Sequence, residues 1–415
     1  MSETELPLAQ PHGPLQLIED DDALLRVIDL LAAGTGPVAV DVERASGYRY
    51  SQRAYLVQLF RRGSGSFLID PISAGGFDAV QETIGDTEWV LHAASQDLPS
   101  LRELGLEPTT LFDTELGARL AGFERVGLQA VVERTLGLRL KKEHSNSDWS
   151  VRPLPAAWLE YAALDVELLI DVRDAVADEL QAQGKEDLAR EEFDYELRRP
   201  SKPPAAEPWR RLSGVHRIKQ RRSLAVAREL WLARDTLARE LDAAPGRLVP
   251  DASLVAAAEA SPSSKGELGR LKEFNGRRAK TELDRWWDAV QRGQSSEDLP
   301  RLRPLAEGPP PPRFWEQKRP TAAARLKAAR AALTEKSEEV RIPQENLLTP
   351  DTLRRTIWDA DDARPLDIAE SLLDHGARRW QVETAGRVVQ QAVQEADASV
   401  VDSVQAKSKR SERAS

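Results

Sequence analysis

Four carboxylates and one tyrosine within the first 165 residues have the types and spacing that phosphodiester hydrolysis requires. Asp41 and Glu43 lie in "VAVDVERASGYRY", Asp97 in "VLHAASQDLPSL", and Tyr161 and Asp165 in "LEYAALDVELL". Two divalent cations about 3.5–4 Å apart can bind both the attacking and the leaving oxygen of an in-line displacement. Four acids suffice to hold two such cations, and oxygen ligands favour Mg²⁺ or Mn²⁺.

The spacing of these residues indicates elements that would place them on common faces. Asp41 and Glu43 follow the apolar run "GPVAV", and residues two apart on a strand point to the same side of a sheet. Tyr161 and Asp165 are four apart in a stretch with helical periodicity, which stacks them on one helix face. Burying four carboxylates together without cations costs several kcal/mol per ion. We therefore expect a metal site if the three segments converge.

The first half of the chain alternates between strand and helix patterns, which predicts a mixed α/β domain. The predicted strands are "GPVAVDVE", "AYLVQLF", "SFLIDP" and "EWVLHAA". The predicted helices are "DLPSLREL", "TELGARLAG", "GLQAVVERTLG" and "PAAWLEYAALDVELLIDVRDAVADEL".

Two linkers divide the chain into three blocks. The first is "RRPSKPPAAEP", and the second contains Pro309 to Pro312, which favour an extended, semi-rigid spacer. The two later blocks are rich in Ala, Leu and Arg with helical periodicity, so each is predicted to be a small all-α bundle. The predicted boundaries are 1–14 for a disordered N-terminus, 15–198 for the α/β domain, 199–208 for a linker, 209–294 for the first bundle, 295–320 for the Pro-rich linker, 321–396 for the second bundle and 397–415 for a disordered tail.

Length and composition exclude several classes of protein. The chain has 415 residues and no cysteine, so we expect two or three domains and no disulfide, thiol nucleophile or cysteine zinc site. It contains no run of about 20 uninterrupted apolar residues, which predicts no membrane span. The acidic N-terminus lacks the pattern of a signal peptide. We therefore expect the protein in the cytoplasm.

The charge is distributed unevenly along the chain. The net charge is −10 overall, but it is −17 over residues 1–207, +7 over residues 208–294 and zero over residues 295–415. A local basic patch attracts phosphate backbones whatever the overall sign. A solvated helical surface explains the same composition equally well.

The three acidic motifs resemble those of the DEDD superfamily of 3′–5′ exonucleases, and within it the ribonuclease D family. "VDVE" resembles the first motif, "LHAASQDL" the second, and "YAALD" the Tyr-x-x-x-Asp form of the third. The other branch of the superfamily has His where this chain has Glu160. "YLVQL", "LFDTELGARLAG" and "LKKEHSNSDWSVRPL" also match the ribonuclease D pattern. The resemblance implies a ribonuclease H-like exonuclease domain, with a mixed sheet and flanking helices.

The resemblance also implies a role for each of the five residues. Asp41 would bridge two cations, Glu43 and Asp165 would complete the site that holds the nucleophilic water, and Asp97 would support the second cation directly or through water. Tyr161 would orient the water or help to remove its proton. Products would be nucleoside 5′-monophosphates released one by one from a 3′ end.

Residues near these motifs are candidates for other roles. Five are predicted to contact nucleic acid through phosphate binding or base stacking: Tyr48, Arg49, Tyr50, Arg53 and Lys142. An ordinary polar hairpin is the alternative explanation for the first four. Asp113 is predicted to be a helix N-cap, and His92 to fix a strand-to-helix turn.

The second block, at residues 209–294, resembles the HRDC domain, a helical nucleic-acid-binding module. The resemblance rests on Trp231, on Arg234 with Asp235, on "PGRLVPDASL" and on Leu268 to Arg278. Its core candidates are Trp231, Leu241, Leu254 and Leu268. Its candidates for contact with a nucleic-acid backbone are Arg217, Lys219, Arg221, Arg222, Arg277, Arg278 and Lys280. The third block resembles a second, more divergent HRDC domain.

The leading hypothesis is a monomeric 3′–5′ exoribonuclease that trims RNA with a free 3′ end, such as tRNA precursors and other small stable RNAs. A DNA-directed exonuclease of the same superfamily is the nearest alternative, because the 2′-hydroxyl is recognised by local geometry. A non-catalytic RNA-binding scaffold is the alternative from another class. Retention of all four acids and Tyr161 favours the enzyme.

Overall fold

A six-stranded mixed sheet forms the centre of the first 200 residues. Its strands are β1 (Leu17–Ile18), β2 (Thr35–Arg44), β3 (Ala54–Arg62), β4 (Gly65–Ile69), β5 (Glu88–Leu91) and β6 (Thr110–Asp113). They are ordered β1-β4-β3-β2-β5-β6 across the sheet. β3 runs antiparallel to β2 and β4, whereas the other neighbouring pairs are parallel. The structure is a computed structural model that describes residues 6–13, 15–141, 144, 146–200, 203–304, 308–360 and 367–399.

Eight helices accompany the sheet in the described part of this domain. They are α1 (Asp21–Ala33), α2 (Phe77–Ile84), α3 (Leu98–Glu103), α4 (Thr114–Leu120), α5 (Leu128–Leu136), α6 (Ala156–Glu167), α7 (Leu169–Ala182) and α8 (Glu186–Arg198). Side chains of α1 and α2 pack with Val40 and Val42 on one face of the sheet. On the other face α6 packs against β2, β3 and β4, and α7 packs against β2 and β5. Because helices cover both faces of the sheet, the first six residues of β3 are all buried and do not alternate between buried and exposed.

The four predicted strands are confirmed as β2, β3, β4 and β5. The sequence pattern missed β1 and β6, which are two and four residues long. It also predicted one helix where the structure has α6 and α7, which are separated by Leu168. The confirmed fold is a mixed α/β domain followed by helical domains.

The first helical domain consists of residues 209–295 and has its own apolar core. Its helices are α9 (Arg221–Leu241), α10 (Pro245–Leu248), α11 (Asp251–Ala260), α12 (Lys265–Arg270), α13 (Arg277–Thr281) and α14 (Leu283–Ser295). Leu254 and Leu268 are fully buried and Trp231 is partly buried against the same core, as predicted. The prediction for Leu241 is wrong, because this last residue of α9 is 39% exposed. Its helix ends there at Asp242, which has a left-handed backbone.

The second helical domain consists of residues 312–399. Its helices are α15 (Trp315–Lys318), α16 (Pro320–Val340), α17 (Gln344–Leu347), α18 (Pro350–Asp359), α19 (Ile368–Asp374) and α20 (Arg379–Gln381). A π-helical turn, Val382–Gly386, follows α20, and helix continues over 387–399. Its core is continuous with that of the α/β domain, since Trp380 and Phe193 belong to one apolar cluster.

Three helices of the two helical domains form a structural repeat. α9 and α16 both have 21 residues, α10 and α17 both have four, and α11 and α18 both have ten. Each helix of the second set starts 99 residues after its counterpart. The long helix ends in both domains at a left-handed residue, Asp242 in the first and Arg341 in the second.

Two predicted boundaries need correction. The prediction of a disordered N-terminus is wrong for residues 6–13, because Leu8 bridges Arg139 and Ala9 is buried in the core. The Pro-rich linker ends before residue 320, because Trp315 is fully buried and its indole donates to the Pro310 carbonyl at 2.7 Å. In both places the polar composition predicted a disordered or extended segment, but buried apolar residues pack the chain against the protein. Among the described helices, none combines the length and apolarity needed to cross a bilayer.

Candidate active site

Three of the predicted metal ligands come together on the face of the sheet that α6 covers. Carboxylate oxygens of Asp41, Glu43 and Asp165 all lie within 4.8 Å of one another. Asp41 and Glu43 share a face of β2, and Asp165 comes from α6, which packs across that strand. Strand alternation and helix packing together thus produce the predicted cluster.

Asp97, the fourth predicted ligand, lies beside Asp41. It follows a short 3-10 helix after β5 and immediately precedes α3. Asp97 lines the same cavity as Asp41. It also accepts a hydrogen bond from Arg44, whose Nη2 lies 3.3 Å from Asp97 Oδ1. The structure therefore places all four acids in one site.

The turn that carries Asp97 is fixed by a neighbouring carboxylate. Asp113 accepts hydrogen bonds from the backbone amides of Ala93 and Ala94, at 3.1 and 2.8 Å. These bonds hold Ala93 in a left-handed conformation with φ of 63°, which costs backbone energy in a non-glycine residue.

Asp113 also accepts from the amides of Glu115 and Leu116, at 2.9 and 3.1 Å, as the N-cap of α4. His92 Nδ1 lies 2.9 Å from Thr114 Oγ1. The predicted N-cap is confirmed, whereas the turn-fixing role of His92 stays a prediction.

Burial and mutual repulsion make the carboxylates reluctant to ionise. Burial raises the pKa of Asp41 to about 6. Burial also raises the pKa of Glu43, Asp97 and Asp165, and in each case the charge of Asp41 raises it further. Divalent cations relieve both effects, and the donor set of carboxylate oxygens suits Mg²⁺ or Mn²⁺.

Tyr161 lies within this cluster. Asp165 follows it one helical turn further along α6. Burial and the nearby charges of Asp165, Glu43 and Asp41 raise the pKa of its hydroxyl. Its ring packs beside that of His144, with centroids 6.1 Å apart.

The cluster opens into a cavity of about 1140 Å³ that is large enough for nucleotides. The acids line its floor, and Arg125 and Lys141 lie on its walls. Gln10 and Pro11 of the N-terminal segment line it as well. That segment is fixed by hydrogen bonds between residues 7–9 and Arg139.

Comparison with known proteins agrees with this geometry. Family models described as 3′–5′ exonuclease, HRDC domain and 3′ to 5′ exonuclease C-terminal domain match residues 15–181, 223–290 and 308–393. Ribonuclease D of Gluconacetobacter diazotrophicus is 31% identical over 312 residues, covering 72% of this chain and 76% of that protein. The chain belongs to the ribonuclease D family. It is therefore a 3′–5′ exonuclease.

Two solved structures extend the similarity to nearly the whole chain. A protein from Bifidobacterium adolescentis has a TM-score of 0.86 at 36% identity, covering 94% of this chain and 100% of that one. Escherichia coli RNase D, described as an exoribonuclease involved in structured RNA processing, has a TM-score of 0.68 at 26% identity. That match covers 92% of this chain and 99% of the Escherichia coli chain.

In this member of the ribonuclease D family, the loop after Glu43 contacts the HRDC domain. The Tyr50 hydroxyl donates to Asp235 at 3.0 Å and accepts from Arg239 Nε at 2.8 Å. The Tyr48 ring lies 3.8 Å from the Arg247 guanidinium carbon. These tyrosines were predicted to stack on bases, whereas the structure places them at the domain junction. Nucleic-acid contact by either of them stays a prediction.

The two arginines of the loop have protein partners too. Arg49 Nε donates to Ser150 Oγ at 2.8 Å, and Arg53 lies 3.8 Å from the Asp242 carboxylate. Asp242 also accepts from the backbone amide of Ser51 at 2.9 Å. Sequence reasoning missed this docking role, because the HRDC partners of the loop lie far along the chain, with Asp242 191 positions after Ser51.

Among the remaining candidates for nucleic-acid contact, five have partners within the protein and two are exposed. Arg221 and Arg222 donate to backbone carbonyls of residues 296–300 and so hold the start of the following linker against the HRDC domain. Three further candidates have partners within the HRDC domain. Lys219 donates to the His216 carbonyl, Arg217 pairs with Glu259, and Arg278 pairs with Glu282. Arg277 and Lys280 are exposed on α13. Lys142 lies outside the described residues.

Sequence reasoning missed two further residues beside the acids. Arg44 lines the cavity with them. Gln58, the cross-strand partner of Asp41 on β3, is fully buried, and its side-chain amide has no hydrogen-bond partner among the described residues. The "YLVQL" match to the ribonuclease D pattern contained Gln58 but gave it no role.

Proposed function

We propose that this protein is a two-metal-ion 3′–5′ exoribonuclease that releases nucleoside 5′-monophosphates from RNA 3′ ends. The observation that carries the proposal is the set of carboxylate oxygens of Asp41, Glu43 and Asp165 within 4.8 Å of one another, beside Asp97. Repulsion within such a set is relieved when divalent cations bind.

Each acid would have a defined place at the cations. Asp41 would contact both ions, Glu43 and Asp165 would complete the first site, and Asp97 would support the second. When bound, the two ions supply an activated water and neutralise charge on the leaving 3′ oxygen. Tyr161, one helical turn before Asp165 on α6, would orient the attacking water.

RNA with a free 3′ end is the substrate that the domains support. The HRDC domain carries the +7 segment, and a net positive surface attracts a phosphate backbone. The helical repeat with the 99-residue offset supports a second HRDC-type domain at residues 312–399. Similarity to the Escherichia coli exoribonuclease, which is involved in structured RNA processing, favours tRNA precursors and small stable RNAs, handled by a cytoplasmic monomer.

The test is 3′-nucleotide release from matched single-stranded RNA and DNA oligomers, with Mg²⁺ or Mn²⁺ and with EDTA. The wild type should release nucleoside 5′-monophosphates from RNA only when a cation is present. Asp41→Asn should lose at least about 10³-fold in kcat, since it removes the shared ligand. Asp78→Asn makes the same change at an exposed site on α2 and should leave kcat unchanged. Equal activity of wild type and Asp41→Asn would refute the proposal, and a preference for DNA would refute its substrate.

A further inference from the structure

Arg44 faces the acid site although strand alternation predicts the opposite. Asp41 and Glu43 share one face of β2, so Arg44 would follow Val42 to the other face. The register between β2 and β3 shifts between Glu43 and Arg44, where Tyr55 is an extra residue on β3, and the ladder is locally disrupted at such a bulge. The long Arg44 side chain reaches the cavity that the acids line.

The Arg44 guanidinium competes for an atom that a cation would need. Its Nη2 lies 3.3 Å from Asp97 Oδ1. The Asp97 side chain is only 8% exposed, whereas that of Arg44 is 24% exposed and reaches the open cavity. A carboxylate oxygen that accepts from a guanidinium has fewer lone pairs for a metal ion.

We propose that Arg44 alternates between Asp97 and the RNA phosphate. While no cation is bound at Asp97, the guanidinium holds this carboxylate in position and offsets its charge. When a cation takes Asp97, the guanidinium is released and contacts a phosphate oxygen of the terminal nucleotides. This inference rests on the proposed function.

The chemistry of the side chain supports the second contact. A guanidinium presents a planar fork of N–H donors that matches two phosphate oxygens, whereas an ammonium is a point charge. Arg44 already lies on the cavity surface directly after the ligand Glu43. A phosphate placed at the acids would therefore lie within reach of a short rotation of the side chain.

The test uses the full-length protein and three variants. Arg44→Gln removes the charge, and Arg44→Lys keeps the charge without the fork. Arg125→Gln is the matched control, because Arg125 also lines the cavity but pairs with Glu133 rather than with a ligand acid. Mn²⁺ binding without RNA is measured by isothermal titration calorimetry, and kcat and KM are measured on single-stranded RNA.

Arg44→Gln should bind the second Mn²⁺ on the order of tenfold more tightly than wild type, because the competing charge is gone. Its KM for RNA should rise on the order of tenfold. Arg44→Lys should keep the Mn²⁺ affinity near that of wild type but still show the raised KM. Arg125→Gln should leave Mn²⁺ affinity unchanged.

Two results for Arg44→Gln would each overturn a part of the inference. Unchanged or weaker Mn²⁺ binding by Arg44→Gln would refute competition for Asp97, and an unchanged KM would refute the phosphate contact. A wild type that binds no Mn²⁺ would instead refute the proposed function. Should Arg44→Gln fail to fold, Arg44→Ala gives the Mn²⁺ reading, because it also removes the charge, and Arg44→Lys gives the KM reading.

Discussion

At the scale of single residues, the acid site is arranged at the expense of stability. Asp41 is buried among Glu43, Asp97 and Asp165, and each of the four has a raised pKa. A native state that resists ionisation is destabilised at neutral pH relative to an unfolded chain, in which these groups ionise freely. Such a trade of stability for function is common at active sites.

Removing one of these charges should therefore stabilise the cation-free protein. The pKa of Asp41 is about 6 in the native state and about 3.9 in an unfolded chain, so ionisation of Asp41 costs about 3 kcal/mol above pH 6. This cost is absent below about pH 4 and grows as the pH rises from 4 to 6.

Thermal unfolding in EDTA measures the effect. Asp41→Asn should raise the Tm at pH 7, and the gain over wild type should shrink towards pH 5. Added Mn²⁺ should stabilise the wild type more than Asp41→Asn, and Asp78→Asn should behave as wild type throughout. A lower Tm for Asp41→Asn in EDTA at pH 7 would contradict this view of the site.

Strand and helix periodicity are local properties, so the sequence could place Asp41 with Glu43 and Tyr161 with Asp165 on common faces, whereas the prediction of Asp97 rested on the resemblance of "LHAASQDL" to the second motif. The sequence could not predict the role of Arg44, because its contact with Asp97 joins residues 53 positions apart. It could not separate base stacking from domain docking for Tyr50, whose partner Asp235 lies 185 residues away. Side-chain partners of this kind are set by tertiary contacts.

At the scale of elements, the close approach of two helix backbones restricts which residue types fit as strongly as apolar periodicity does. α14 packs along α9 in the HRDC domain. A Cβ added at Gly293 would lie 2.4 Å from the Val226 Cα, and the neighbouring backbone leaves no room to shift. The periodic pattern predicts both helices but not the glycine at their crossing.

Gly293→Ala should therefore destabilise the HRDC domain by at least about 2 kcal/mol through overpacking. Gly246→Ala is the matched control, since Gly246 lies on α10 and no heavy atom lies within 4 Å of the point that its Cβ would occupy. Urea unfolding followed by tryptophan fluorescence would report the change through Trp286, a core residue of α14. Equal midpoints for the two variants would show that α9 and α14 pack less closely than the Gly293 contact implies.

The sequence could not predict the short strands at the two edges of the sheet. β6, with the sequence "TLFD", has only four residues and runs directly into α4, so it is too short to show a strand pattern. The break at Leu168 likewise lies inside an uninterrupted helical pattern. Packing of α6 and α7 on different strands separates them.

At the scale of the whole molecule, both helical domains contact the exonuclease domain through the residue that follows their long helix. After α9, Asp242 accepts from Ser51 in the loop that follows β2. After α16, the Arg341 carbonyl accepts from Lys185 at 3.4 Å and approaches Gly122. Gly122 closely precedes the segment of residues 125–130 that lines the cavity. Each of the two domains thus contacts a segment close to the candidate site.

The junction with the second helical domain depends on a buried carboxylate. Glu192 on α8 accepts from Arg378 Nε at 2.6 Å and from the Trp380 indole at 2.7 Å. Deleting residues 295–415 would expose the core shared with the exonuclease domain, so a point variant tests this junction more cleanly.

Glu192→Ala should lower the stability of the shared core by about 3 kcal/mol, because it leaves Arg378 without its buried partner. Hydrogen exchange should show faster exchange around α20, with α9 and α14 unchanged. Glu186→Ala, at an exposed position of the same helix, should have no such effect. Protection of α20 equal to wild type would contradict this role of Glu192.

The most direct test of the two-metal site is anomalous diffraction from crystals soaked in Mn²⁺. We expect two peaks about 3.5–4 Å apart, one among Asp41, Glu43 and Asp165 and the other between Asp41 and Asp97. A single peak, or two peaks away from these carboxylates, would contradict a two-metal site.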